Sequence, residues 1–302
     1  MSGSEEAPSE AALELAERPY GDYLLRGGPT PRAALPRKRQ QPAAGWRPKL
    51  VALDVDGTIV SEDDTTPEAI RTALGRAAAA GVPIVLVTGR SWLAAKLVLD
   101  DLALPWPYCV CNNGATVLSH SPLKIVHNAT FDARPIMAAL RHHPTAVVAV
   151  EEFGRGYRCS GPFPDGELHG EISHVGWDEL TCGPVSRLIL RDPAISKEDF
   201  VALCVSLPLN GLSYFVGQNN WLDIASAETD KAAGLKIAAD RLGVAAADVL
   251  ALGDGLNDLE MLAWAGRGVA LGQAQEELKQ VAAAVTGRFE DGGTAEELNR
   301  WF

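Results

Sequence analysis

An apolar run that ends in two carboxylates and turns on a glycine constrains this chain more than any other feature. Leu50-Val51-Ala52-Leu53 reads as a strand, and Asp54-Val55-Asp56-Gly57-Thr58 follows it directly. Burying charge is costly unless the charge is paired or holds a metal. A second such junction lies far downstream, where Val249-Leu250-Ala251-Leu252 runs into Gly253-Asp254-Gly255-Leu256-Asn257-Asp258. Two apolar strands that both end in acids point to one acidic pocket assembled from distant segments. Open α/β sheets bind ligands beyond the carboxyl ends of their strands, which is where these acids fall.

The surrounding pattern is the one such a sheet requires. After the first strand, 67–80 is helical in pattern, with Thr66 expected as N-cap and Pro67 at the first helical position. Val82 to Val87 is a continuous apolar run, as expected of a strand covered on both faces. A helix over 91–99 and a short strand over 108–111 follow, and Asn112-Asn113-Gly114 is a turn signal. This βαβαβ alternation implies a parallel sheet with helices on both faces. The stretch 126–225 changes character: strands are expected over 146–151, 157–160, 186–190 and 212–216, with one helix over 196–207. It reads as an α+β module inserted into the α/β core, which resumes with a helix over 231–242. Residues 1–47 are rich in Ala, Pro, Glu and Arg and read as a flexible tail, with a short helix around Glu10 to Arg18.

Composition excludes some classes of function. With 302 residues the chain can bury one large or two medium domains. A formal net charge of −12 argues against a nucleic-acid binder, which needs a basic face. An acidic protein still binds phosphate esters where a metal ion and a few local cations invert the field. Cys109, Cys111, Cys159, Cys182 and Cys204 lack zinc-site spacing and are expected to be reduced, mostly buried thiols of a cytoplasmic protein. No signal segment opens the chain, and no apolar run reaches the roughly 18 residues that span a bilayer.

Four pieces carry chemistry, and each has a plainer reading. Asp54 and Asp56, two residues apart on an extended chain, face one side and suit a nucleophile beside a general acid/base, or else form a turn or a calcium-type loop. Val87-Thr88-Gly89-Arg90 puts a small hydroxyl and an approachable backbone at a strand end, which suits phosphate; Thr88 or Ser91 can equally cap a helix. Lys231, after Asp230, is placed to neutralise a carboxylate or a phosphate, or is a surface lysine after an N-cap. Asp254 and Asp258, four apart, suit Mg²⁺ with its preference for oxygen ligands, or are a helix cap and a solvated acid.

In this order the four pieces resemble the haloacid dehalogenase superfamily of phosphohydrolases, and most closely its Cof-type hydrolases. The resemblance covers about residues 48–302 and is supported by Asn112-Asn113-Gly114-Ala115, by Asn220-Trp221-Leu222-Asp223-Ile224 and by Gly253 to Leu262. It implies an α/β fold: a Rossmann-like parallel-sheet core in two parts, 48–125 and 226–302, around a cap at 126–225. It implies a Mg²⁺-dependent phosphatase that acts on a small phosphorylated metabolite, a sugar phosphate or phosphorylated cofactor, with no nucleic-acid or membrane partner. Asp54 would attack phosphorus and form an aspartyl-phosphate. Asp56 would protonate the leaving alcohol and then activate water. Thr88 and the Gly89 amide would hold the phosphoryl group, Lys231 would neutralise it, and Asn113 and Asn257 would lie against it. Asp54, the Asp56 carbonyl, Asp254 and Asp258 would make the Mg²⁺ set. Two departures from the family pattern are Ala232 after Lys231, where glycine is common, and the loose ending at Glu290 to Ala295.

Rival readings are a phosphomutase on the same core, a non-catalytic metabolite-binding regulator and a dinucleotide-binding dehydrogenase. The regulator is disfavoured by the intact acids, Thr and Lys, and the dehydrogenase by the missing glycine-rich turn after the first strand. In the cap, Arg155, Arg158, Arg187, His174 and Asn220 are expected to be solvated, and Trp177 and Trp221 to be packing residues.

Overall fold

The computed structural model describes residues 23–27, 42–163, 166, 168–217, 219–227 and 229–302. Its strands are, in chain order, β1 (Tyr23–Gly27), β2 (Leu50–Leu53), β3 (Ile84–Val87), β4 (Tyr108–Cys111), β5 (Thr116–Ser119), β6 (Lys124–Asn128), β7 (Val147–Glu152) and β8 (Gly156–Cys159). They continue with β9 (Glu171–His174), β10 (Leu188–Arg191), β11 (Leu212–Gly217), β12 (Trp221–Ser226), β13 (Val249–Gly253), β14 (Arg267–Ala270) and β15 (Ala284–Val285). They form two sheets, ordered β15-β14-β13-β2-β3-β4-β5-β6 and β1-β11-β12-β10-β7-β8-β9.

The first sheet is parallel from β15 to β4, and an antiparallel pair, β5 and β6, closes its far edge. Strands β2, β3, β13 and β14 are buried throughout, as a sheet covered on both faces demands. Alternate residues serve opposite faces. Val51, Leu53, Leu86, Leu250 and Leu252 pack under the helices Glu68–Ala79, Trp92–Leu102 and Gly293–Leu298. Leu50, Ala52, Val85, Val87 and Ala251 pack against Lys231–Leu242, Leu259–Trp264 and Glu276–Val281. The core sheet runs on to Asn128, past the expected boundary at 125.

The second sheet is antiparallel except where β8 meets β9. One face is closed by the helices Arg134–Leu140 and Lys197–Ser206 through Ile136, Leu140, Phe200 and Val201. The opposite face carries Ala149, Tyr157, Cys159 and Ile189 and looks onto the core. Two strands were not anticipated here, β9 and β12. Residues expected to be flexible also contribute: β1 pairs antiparallel with β11, so the tail is not structureless throughout. The helix expected near residues 10–18 lies outside the described residues.

Local signals mostly fall within a few residues of expectation. Ser91 caps Trp92–Leu102 by accepting from the Ala94 amide, and Asp230 caps Lys231–Leu242 by accepting from Ala233. Thr66 does not cap the first helix; Pro67 takes that position and has no side-chain oxygen to offer. Among the described residues no helix is long and apolar enough to cross a membrane. All five cysteines are free, and Cys182 alone is exposed.

Candidate active site

The carboxyl ends of β2, β3, β4 and β13 meet at one edge of the core sheet, and the second sheet roofs it. Between them lies a cleft of about 480 Å³. Its core wall includes Asp54, Asp56, Gly89, Arg90, Asp254, Gly255 and Asn257. Its cap wall includes Tyr157, His169, Arg187, Asn219, Trp221 and Asp223.

Lys231 organises the floor. It is fully buried at the first position of its helix, and its Nζ donates to Asp54 Oδ1 at 2.5 Å and to Asp258 Oδ1 at 2.7 Å. Burial opposes its charge, but Asp258 and Asp54 more than offset that and push its pKa well above the ordinary lysine value. Asp54 is shifted up as well, which for a carboxyl disfavours the charge. Burial first, and then the Asp258 charge, hold its pKa well above the usual carboxylate range despite Lys231. The second Asp258 oxygen accepts from the backbone amides of Asp254 and Gly255, at 3.1 and 3.0 Å. Asp258 is thus saturated and fixes the turn that presents Asp254.

Oxygens of Asp54, Asp254 and Asp258 lie within 4.8 Å of one another. Three carboxylates around one ammonium leave an excess of negative charge on an all-oxygen donor set, which fits a hard divalent cation. Gly57 explains how this cluster closes. Its φ is +68°, and a Cβ there would stand 2.4 Å from Asp254 Oδ2.

The other sequence candidates are placed as follows. Asp56 lies apart from the cluster: its half-exposed carboxylate takes Arg90 Nη2 at 2.5 Å and Nε at 3.1 Å, and Arg90 also grips Asp64. Thr88, fully buried at the end of β3, accepts from the Arg90 amide at 3.0 Å. Gly89 lines the cleft beside it. Asn257 donates to Asn113 Oδ1 at 2.9 Å, which ties the turn after β13 to the turn after β4.

Both Asn112 and Asn113 adopt left-handed backbone, with φ of 53° and 50°. This sends two neighbouring amides to different partners. Asn113 reaches Asn257, while Asn112 reaches up to the cap. Asn112 Nδ2 donates to Glu151 at 2.6 Å, and its Oδ1 accepts from Arg187 Nη1 at 3.3 Å. Gly114 allows the turn to seat: its φ is +101°, and a Cβ would lie 2.0 Å from the Asp230 carbonyl.

On the roof, Arg187 and Asp223 form a bidentate pair at 2.9 and 2.5 Å with side chains 7% and 9% exposed. Tyr157 sits beside them, its hydroxyl accepting from Arg187 at 3.4 Å, and burial pushes its pKa up to about 12. Arg187 is therefore not solvated, and Trp221 lines the cleft besides packing edge-on to Phe163. Asn220 is also buried, donating to the Asp192 and Ile195 carbonyls at 2.8 Å. Arg155 and Arg158 face acids instead, Glu171 and Glu152, away from the cleft lining. Residues that sequence reasoning missed include Asn112, Glu151 and Gln273, whose amide bridges the Gly57 carbonyl and Asp254 at 2.8 and 3.1 Å. Gln273 follows β14 at the same sheet edge, and that position was its available signal.

Comparison with known proteins agrees with this geometry. The family model described as haloacid dehalogenase-like hydrolase matches residues 51–151 and 185–298. The chain is 26% identical over 257 residues to the 5-amino-6-(5-phospho-D-ribitylamino)uracil phosphatase YcsE of Bacillus subtilis, covering 84% of this chain and 95% of that protein. It is 27% identical over 272 residues to an HMP-PP phosphatase of Yersinia pseudotuberculosis, covering 84% and 95%. Among solved structures, the phosphatase BT1666 of Bacteroides thetaiotaomicron superposes with a TM-score of 0.71 at 27% identity, covering 86% and 97%. With the match spanning most of both sheets, the chain belongs to the haloacid dehalogenase-like hydrolase family, among its Cof-type phosphoric monoester hydrolases.

Proposed function

We propose that this hydrolase removes the phosphoryl group from a small phosphorylated metabolite through an aspartyl-phosphate on Asp54, with Mg²⁺ as its metal. The observation that carries the reading is the buried Lys231 clamp between Asp54 and Asp258, with Asp254 completing an oxygen cluster at the cleft floor. Asp54, Asp254 and the Asp56 carbonyl would hold Mg²⁺, with Asp258 orienting them. When bound, the cation lowers the repulsion between phosphate and the acidic floor and stabilises charge on the transferring group.

The protein's own groups do the rest. Lys231 opposes the burial that raises the Asp54 pKa, and a bound cation would add to that, so that an ionised Oδ can attack phosphorus. As the Asp54 O–P bond forms, the ester P–O bond breaks, and Asp56 gives its proton to the leaving oxygen. Thr88 and the Gly89 amide hold the equatorial oxygens, and Asn257, steadied by Asn113, contacts the same group. Asp56 then takes a proton from water, water oxygen attacks phosphorus, and Asp54 leaves with its electron pair to regenerate the carboxylate and free phosphate. Asp56 must exchange Arg90 for the leaving group to do this. The same reading divides the chain into a core, 48–128 and 227–302, and a cap at 129–226 that β1 joins. The free thiols support a cytoplasmic setting.

The test is phosphate release from a panel of phosphorylated metabolites, with EDTA and then with added Mg²⁺. Release that EDTA removes and Mg²⁺ restores is expected. Metal-independent release would overturn the Mg²⁺ assignment. Rearranged product without free phosphate would point to a mutase.

A further inference from the structure

The cap wall contributes six side chains to the cleft: Tyr157, His169, Arg187, Asn219, Trp221 and Asp223. Among them Arg187 is the one guanidinium, and no lysine is present. Its Nε and Nη2 are given to Asp223, and its Nη1 to Asn112 and Tyr157. On the core wall, Arg90 is shared by Asp56 and Asp64. The other acids of the lining are Glu62 at the rim and Asp54, Asp56 and Asp254 on the core side. Among the described residues, every Arg lining the cleft is therefore already matched to a carboxylate.

A substrate reaching from the floor to this roof meets groups that suit hydroxyls, amides and rings. Asp223 accepts, the Asn219 amide does both, the Tyr157 hydroxyl donates, and the Trp221 indole offers a flat face. Among the described residues, a second anion finds no unmatched arginine or lysine in the lining. To capture Arg187 it would have to strip that residue from Asp223 and leave a carboxylate buried and unpaired, which is the expensive way to break such a pair. An acid elsewhere in the cleft would meet Glu62 with no unmatched guanidinium beside it among the described residues.

We propose, resting on the hydrolase reading above, that the cleft selects phosphate monoesters whose leaving group carries no second anionic group, and rejects bisphosphates and phosphorylated acids. The Arg187–Asp223 pair is the specificity-determining element, because it presents a neutral polar surface where a lone arginine would present an anion site.

Matched esters test this with Mg²⁺ present at pH 8. The pairs are phenyl phosphate against 4-carboxyphenyl phosphate, and a hexose phosphate against the corresponding phosphoaldonic acid and bisphosphate. The neutral member is expected to exceed its acidic partner in kcat/KM by about tenfold or more. In Asp223→Asn, which keeps a hydrogen-bonding amide beside Arg187 but removes the counter-charge, that ratio should fall towards unity. Acidic esters turned over as well as neutral ones by the wild-type protein would overturn the proposal alone. A ratio unmoved in Asp223→Asn would overturn the role of the pair. Silence on every ester, phenyl phosphate included, would overturn the hydrolase reading and the proposal with it.

Discussion

On the core wall of the cleft, Asp54 and Asp258 grip one ammonium, Lys231, and Asp254 stands close to both carboxylates. On the cap wall, Asp223 meets one guanidinium, Arg187. The first arrangement is short of positive charge, and on the proposed reading it would take a cation and a phosphoryl group together. The second is electrically complete before any ligand arrives. A surplus of charge marks where chemistry is to be done, whereas a balanced buried pair marks where a shape is to be held. The two walls are joined at Asn112, whose amide and carbonyl serve Glu151 and Arg187 of the cap from a core loop. Glu151 itself is pushed above the usual carboxylate range by burial, with Arg187 and Asn112 working against that.

Substitutions that break this contrast rank by wall. Asp54→Asn should take turnover below detection while leaving the metal-free protein as stable as wild type or more so, by about 2–4 °C per kcal/mol in thermal midpoint. The sign follows from its raised pKa. A carboxyl whose folded pKa is raised adds stability below its unfolded pKa and loses it as pH rises through the folded value. The amide lacks that loss, so the variant's advantage should grow with pH across this window and be absent in acid. Phosphate release and thermal melts across pH read both effects.

Lys231→Met comes next. It should lower kcat by about a thousandfold or more and cost about 3–5 kcal/mol, because two buried carboxylates lose their counter-charge. Urea denaturation and steady-state kinetics measure the two losses. On the roof, Arg187→Met alone should cost a comparable ~3–5 kcal/mol in urea, yet pairing it with Asp223→Leu should recover most of the loss. Such recovery is the mark of a balanced pair, and no second substitution should rescue Lys231→Met in function.

The smallest effect belongs to the link between the walls. Asn112→Gly keeps the left-handed turn but removes both bonds to the cap, and should cost about 1–3 kcal/mol. Faster amide exchange should appear in β7 and β8 before it appears in β2 or β13.

The core wall was legible in the sequence because a parallel sheet brings its carboxyl ends to one edge. Asp54, Thr88 and Asp254 each follow an apolar run, so position along the chain already gives position at the site. Lys231 had no such cue, and only its resemblance to a family motif distinguished it from a surface lysine. The roof was opaque for a different reason. In an antiparallel sheet a residue's partner depends on register, and Ile189 pairs with Asp223 across a long connection. Alternation then brings Arg187 and Ile189 to the same face, over the cleft. Nothing in the local string around Arg187 states that register, so a solvated arginine was the natural expectation. The N-terminal strand escaped notice for a related reason: Tyr23–Gly27 is recognisable as a strand through its partner β11, which is far away in the chain.

These long-range pairings have a consequence for synthesis. Strand β2, at the heart of the core sheet, pairs with β13 roughly 200 residues later, and β1 waits a similar length of chain for β11. At ~5–20 residues per second, the ribosome leaves β1 without its partner, and β2 with one edge open beside β3, for on the order of 10–40 seconds. A nascent chain of this order exposes unpaired apolar edges for that whole interval, which makes its maturation, more than its finished stability, the step most open to chaperone capture.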